Sequence, residues 1–333
     1  MKISSRELNQ LFESFNKLKV LIIGDVMIDA YYWGKVDRIS PEAPVPIVAV
    51  QQKESRLGGA ANVALNIQAM GATPILCSVI GEDEEGNDFL NLLEENAQTS
   101  VGILRSKQRK TTQKTRVIGN NHQMLRIDAE DSSSINAAVE ADFFKLIEQT
   151  IEKQQVDVVV FEDYDKGVIT ENLIQQVVEL CAAKKIPTTV DPKKRNFTAY
   201  HKVTLFKPNL KELKEGLKIE FNHKNDNELE AAIQQLEEHL QNEITLITLS
   251  ESGVFIKSKT NKHHISAHLR DITDVSGAGD TVIAVASLCL ALNESAEHIA
   301  ELSNLAGGLV CENVGVVPIK KQELLDEAIR LFV

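Results

Sequence analysis

Residues Asp274 to Thr281, DVSGAGDT, put two glycines and two carboxylates within eight positions, directly ahead of the apolar run VIAVASLCLALN. Gly277 and Gly279, with Ala278 between them, permit a tight turn whose backbone N–H groups converge, and a helix starting near Thr281 would add the positive end of its dipole. Such a loop is an anion hole. Asp280 at its lip would oppose a bound phosphate by charge, so its chemistry is that of a base that takes the proton from an attacking hydroxyl. The same pattern also describes an Asp that caps a helix after a glycine turn, and the rest of the chain has to decide between the two.

The elements that would carry this loop are legible as an alternation of short apolar runs and helical patterns. VLIIGD (20–25), AANVALNIQAMG (60–71), PILCSVIG (74–81) and EEGNDFLNLLEENA (84–97) come first; VDVVVFED (156–163), ENLIQQVVELCAAKK (171–185), PTTVDP (187–192), VTLFKPN (203–209) and EITLITLS (243–250) repeat the rhythm. This predicts an α/β fold with a mostly parallel, buried central sheet, whose ligands lie at the carboxyl edge of the strands. Segments 31–59 and 101–131 break the rhythm with alternating polar positions and many β-formers. They are expected to form a small lid of antiparallel β-strands on one domain spanning 1–333. The polar stretch 222–242 is expected to be a solvated helical element.

Composition narrows the function. With Lys+Arg 36 against Asp+Glu 48, the formal net charge of -12 disfavours nucleic acid and anionic membranes as partners. Cys77, Cys181, Cys289 and Cys311 are far apart in apolar surroundings and read as core thiols of a reducing compartment. The amphipathic start MKISSRELNQLFESFNKLKV has no apolar signal region and no membrane span is evident, so a cytoplasmic protein is expected.

GDVMID early, GGAAN in the fifties, KPNLKEL past 200 and DVSGAGDT near the end occur in the order and spacing of the ribokinase-like (PfkB) sugar kinases, which the chain resembles over nearly its whole length. RISPEAPVPIV, GGAANVALNI, DYDKGVI and DVSGAGDTVI resemble, more narrowly, the kinase domains of the heptose-7-phosphate kinase and ADP-heptose synthases of lipopolysaccharide assembly. The resemblance implies a three-layer α/β/α ribokinase-like fold and transfer of phosphate from ATP, with Mg²⁺, to a sugar phosphate. It also implies that Asp29 binds sugar hydroxyls. Gly58 and Gly59 would offer bare backbone to the polyol, and Asn62 an amide with donor and acceptor. Ala60 stands where many of these kinases have Lys, so one substrate contact of relatives is missing.

The resemblance further assigns Asn209 and Glu212 to Mg²⁺ and its water around the nucleotide phosphates, a role that can coexist with an N-x-x-E capping box. Ser250 and Gly253 in TLSESG would lie near ribose and phosphates, and Asp274 and Ser276 would help hold a monovalent cation, K⁺, beside the anion hole. Residues 105–116, RSKQRKTTQKTR, contain six basic residues and no acid. Most of these are expected to be solvated, but a substrate already phosphorylated at its far end needs cations. Lys114, Arg116, Lys166 and Lys193 fall in motifs that resemble the heptose kinases, and Arg38 in DRISPE is a further candidate on the lid.

A dinucleotide-binding enzyme would need GxGxxG after the first strand, where this chain has GDVMID. A non-catalytic sugar sensor would be expected to lose Asp280 or the glycines, and among enzymes the alternative to a heptose 7-phosphate kinase is a ribokinase-like kinase for another sugar or sugar phosphate. The apolar strand faces VPIVAV and VGIL predict a homodimer through the lid, and the downstream nucleotidyltransferase is expected to be a separate chain.

Overall fold

Val20 and Ile22 enter one apolar layer while Leu21 and Ile23 enter another, the period of two of a strand covered on both faces. The computed structural model that shows this describes residues 3–268 and 270–333. The first third of the chain runs α1 (Ser5–Phe15), β1 (Lys19–Gly24), β2 (Val26–Ile39), β3 (Pro46–Gly59), α2 (Ala60–Ala69), β4 (Thr73–Gly81), α3 (Glu84–Glu95) and β5 (Gly102–Ser106). It continues through β6 (Thr112–Gly119), β7 (His122–Ala129), α4 (Ala137–Gln154), β8 (Val158–Glu162), α5 (Glu171–Lys184), β9 (Thr188–Asp191), β10 (Leu205–Phe206) and α6 (Leu210–Leu217). The last part holds α7 (Asp226–Leu240), β11 (Ile244–Thr248), β12 (Val254–Ser258), β13 (Lys262–Ile265), α8 (Ala278–Ala291), α9 (Ala296–Val310) and α10 (Lys321–Phe332).

Nine strands form the central sheet in the order β13-β12-β11-β10-β9-β8-β1-β4-β5. Pairing is parallel from β11 to β5 and antiparallel only through β12 and β13. One side is covered by α1, α2, α3, α8, α9 and α10, the other by α4, α5, α6 and α7. This is the expected three-layer α/β/α architecture. Helix α8 is buried on every side from Thr281 to Leu290, which explains why its sequence is apolar without a polar face. All four cysteines are free and buried. No described helix is long and apolar enough to cross a membrane.

The second sheet has four strands in the order β3-β2-β6-β7. Three expectations about it are corrected. Residues 102–106 do not belong to it: β5 pairs in parallel with β4 at the edge of the central sheet, so the break in rhythm at 101–131 holds only from β6 onward. The sheet also begins earlier than residue 31, because β2 starts at Val26, one residue after β1 ends. It is not wholly antiparallel, since β2 pairs with β6 in parallel.

Ile22 on β1 is fully buried. Ile22→Ala should lower unfolding free energy by about 3 kcal/mol in urea titrations, the usual cost of such a cavity in a packed interior. A loss below about 1 kcal/mol would contradict the packing described.

Candidate active site

The carboxyl ends of the parallel strands converge. β1 is followed by Asp25, β8 ends in Glu162, β9 in Asp191, and β10 is followed by Lys207. All four are buried. Helix α8 brings Asp280 to the same edge. It starts at Ala278, three residues earlier than the sequence suggests, because Gly277 serves as its N-cap at φ 79°, a conformation that glycine adopts at little cost. A Cβ at Gly277 would also lie 3.1 Å from Asn62 Nδ2. Asp280 is therefore in the first turn, next to amides that have no intrahelical acceptor. Asp280 and the free amides share one helix end.

Both oxygens of Asp280 are engaged. Asn62 Nδ2 donates to Oδ2 at 2.6 Å, and the Tyr164 hydroxyl donates to Oδ1 at 2.8 Å. Burial pushes the Asp280 carboxyl up, the two donors pull it back, Asp191 raises it and Lys207 lowers it, to about 6. Oxygens of Glu162, Asp191 and Asp280 come within 4.8 Å of one another. That spacing suits a cation cage, but the protein meets these charges itself. Lys207 Nζ pairs with Asp191 Oδ2 at 2.7 Å, Asp280 takes its two donors, and Glu162 is pushed well above the usual carboxylate range by complete burial, Asp191 and Asp280. A protonated carboxyl is the form such a position favours.

Beside this cluster lies a cavity of about 670 Å³, lined among others by Tyr164, Lys193, Lys207, Asn209, Glu212 and Ser250. Asn209 and Glu212 form a reciprocal capping box at the start of α6, with Glu212 N–H donating to Asn209 Oδ1 at 2.9 Å and Asn209 N–H to Glu212 Oε2 at 2.8 Å. Glu212 Oε1 pairs with Lys193 Nζ at 2.6 Å. Burial alone would lower the Lys193 ammonium, but Asp191 and Glu212 outweigh it and hold it protonated. Gly253 lies behind the cavity wall at φ 86°, where a Cβ would strike the Ile265 carbonyl, so its place is set by the turn into β12.

On the other side of Asp280 the small sheet delivers Asp29, a buried carboxylate bonded to the Arg116 guanidinium. Gly58 must lack a side chain, since a Cβ there would lie 2.3 Å from Asp29 Oδ2. Gly59 turns the chain into α2 as its N-cap. Lys114 is half-buried, and burial followed by the nearby Lys166 lowers its ammonium. Lys166 pairs with Glu130 at 2.8 Å. Asp274 holds the loop before α8, accepting from Ser276 N–H at 2.9 Å and Gly315 N–H at 3.0 Å. Arg38 stands apart: it is exposed, and nine residues along β2 from Asp29 place it roughly 30 Å away at the usual strand rise.

The structure thus gathers Asp280, Gly277, Asn62 and Asp29 with Lys114, Arg116 and Lys166 on one side, and Lys193, Asn209, Glu212 and Ser250 on the other. Sequence reasoning passed over Glu162, Tyr164, Asp191 and Lys207. Three of these end or directly follow apolar runs, in VVVFED, TTVDP and LFKPN, and that position at the carboxyl edge is the signal that could have found them.

Comparison with known proteins places this geometry. The family described as pfkB family carbohydrate kinase matches residues 17–322. The Bifunctional protein HldE of Methylobacillus flagellatus is 37% identical over 308 residues, covering 92% of this chain and 62% of that protein. The chain thus spans less than two-thirds of that relative's length. Among solved structures, phosphofructokinase-2 from Escherichia coli in complex with potassium superposes with a TM-score of 0.75 at 18% identity, covering 95% of this chain and 98% of the other. Arabidopsis thaliana ribokinase complexed with ribose and ATP gives 0.71 at 15% identity, covering 92% and 98%.

Asp280→Asn removes a charge that folding buries. The carboxyl's ordinary value is 3.8 and its folded value about 6, so the wild type binds more protons folded than unfolded. Its destabilisation develops as pH rises from 3.8 to about 6 and is complete above that. The variant should be more stable than wild type at pH 7.5 by on the order of 2 kcal/mol, with the gain fading below pH 4. Urea unfolding at the two pH values checks this, and a variant less stable at pH 7.5 would refute it.

Proposed function

The chain belongs to the pfkB family of carbohydrate kinases, phosphotransferases that act on a sugar hydroxyl, and from that premise we propose that it phosphorylates D-glycero-D-manno-heptose 7-phosphate at the anomeric hydroxyl with ATP, giving the 1,7-bisphosphate. The observation that carries the chemistry is Asp280, buried in the first turn of α8 between the cavity and the Asp29 side. In this reading Asp280 accepts the proton of the anomeric hydroxyl as its oxygen bonds to the γ-phosphorus. The bond from phosphorus to the bridging oxygen breaks with its electron pair on ADP, and the amides at the start of α8 stabilise charge on the transferring group.

Lys193, Lys207 and Ser250 line the cavity and in this reading face the nucleotide phosphates, with Gly253 shaping the turn behind them. Asn209 and Glu212 offer hard oxygen atoms among these lysines, a donor set that fits Mg²⁺ held through water. The ion, when bound, neutralises phosphate charge. Asp274 and Ser276 are read as the flank of a K⁺ site.

The case for a phosphorylated sugar rests on Lys114 and Lys166, two cations close enough for Lys166 to lower the Lys114 ammonium. Like charges half-withdrawn from water are relieved by a dianion. Asp29, Arg116, Gly58, Gly59 and Asn62 would then receive the hydroxyls. In the cytoplasm, the product would pass to a separate nucleotidyltransferase activity for lipopolysaccharide precursor synthesis.

The small sheet exposes Ile39, Val50, Leu125 and Ile127. We read these side chains as the interface of a homodimer, which could also bring Arg38 near the partner's sugar pocket.

A coupled ATPase assay across sugar 7-, 6- and 1-phosphates and free sugars should give the heptose 7-phosphate the highest kcat/KM; a free pentose or hexose ahead of it would sink the substrate. Asp280→Asn should lower kcat by at least 100-fold while ATP affinity stays within about threefold. Light scattering should report twice the chain mass of 36.9 kDa, and Leu125→Glu with Ile127→Glu should halve it; a wild-type monomer at micromolar concentration removes the dimer.

A further inference from the structure

We propose that Tyr164 is the positioning residue of the reaction: its hydroxyl, 2.8 Å from Asp280 Oδ1, holds the carboxylate in one orientation while Asn62 holds the opposite oxygen. The proposal deepens the reading of Asp280 as base and rests on it.

Tyr164 is built to stay in place. Asp25, buried at the end of β1, accepts the backbone N–H groups of Tyr164 at 3.0 Å and Lys166 at 3.1 Å on Oδ2, and that of Val168 at 3.0 Å on Oδ1. The loop itself turns through Asp165 and Gly167 at φ 56° and 86°. A guanidinium N–H of Arg109 donates to the Lys166 carbonyl at 3.0 Å. The Tyr164 ring lies beneath the Lys193 ammonium, 5.5 Å from its centroid. These bonds fix the loop that carries Tyr164, and its hydroxyl is directed at Asp280.

The hydroxyl is a permanent donor. Burial and then Asp280 hold it well above the ordinary tyrosine range, so it keeps its proton wherever the enzyme works. Asp280 needs such a donor because of what faces it: Glu162 from β8, Asp191 from β9, Lys207 after β10, and Asn62 from α2. Without Tyr164, Asp280 would keep only the Asn62 hydrogen bond, on Oδ2, beside the charge of Asp191. A carboxylate oxygen that accepts one hydrogen bond keeps a second lone pair. The sugar proton can therefore arrive on Asp280 while Tyr164 retains its own, and no proton is left unaccounted for.

The hydroxyl also separates two alternatives by chemistry. If Tyr164 only fills space, a phenyl ring serves equally well. If it positions the base, loss of one oxygen atom must alter how Asp280 works without altering how ATP binds.

Tyr164→Phe in the full chain, assayed with whichever sugar of the panel has the highest kcat/KM, is the test. We expect kcat to fall at least tenfold, ATP affinity by calorimetry to stay within twofold, and the acidic limb of kcat/KM against pH to move upward, because a donor that favours the ionised base is gone. Wild-type kcat with an unmoved limb overturns the proposal, and so does a reduced kcat with an unmoved limb, since that is loss of packing alone. Asp280→Asn is run beside it. If that variant keeps more than a tenth of wild-type turnover, the base reading fails; if it is inactive while Tyr164→Phe behaves as wild type, only the positioning role fails.

Discussion

Three acids whose oxygens lie within 4.8 Å of one another at a dry sheet edge cannot all be ionised unless their surroundings supply compensation. Much of the site is that compensation. Lys207 is buried to reach Asp191, Lys193 is held protonated between Asp191 and Glu212, and Glu162, with neither oxygen hydrogen-bonded among the described residues, is driven toward its neutral form. Asp280 is left with a raised proton affinity, which is what a base acting on a hydroxyl near neutral pH requires. The cost to folding and the gain in basicity have one origin.

That constraint also explains the division of labour around the base. The cavity proposed to hold the nucleotide is a product of the central sheet: its lysines and acids follow β9 and β10, and α6 closes it with a capping box. The proposed sugar side is a product of the small sheet, where Asp29, Arg116 and Lys114 lie on neighbouring strands in register, Asp29 opposite Lys114 and Tyr31 opposite Arg116. Asp280 stands on the border because α8 starts there.

The layers were legible because β1, β4 and β8 are apolar without alternation, a pattern that only a strand covered on both faces produces. The start of α8 was not, since Gly-Ala-Gly reads as loop from its low helix propensity; burial of the whole helix overrides that preference. β5 escaped because five residues ending in Arg-Ser carry too little apolar pattern to separate an edge strand from a hairpin. DVSGAGDT and GGAAN named Asp280 and its partner Asn62, whereas Glu162, Tyr164, Asp191 and Lys207, which also face Asp280, lie outside both motifs. Lys193 illustrates the limit: a lysine after a strand can be placed at the sheet edge from sequence, but which ligand it faces depends on Glu212, nineteen residues on. Tyr164 was hidden for the same reason, its partner being 116 residues away.

Asp25 occupies the single position between β1 of the central sheet and β2 of the small sheet. Its carbonyl oxygen accepts the Ala60 N–H at 3.0 Å, where the chain returns from β3 into α2, and its carboxylate clasps the loop of Tyr164. Two of the four crossings between the sheets, β1 to β2 and β3 to α2, therefore meet at one residue. The Tyr164 loop and the junction of the small sheet with the central one thus hang on the same residue, so what fixes the fold at that corner also fixes where the Tyr164 hydroxyl points.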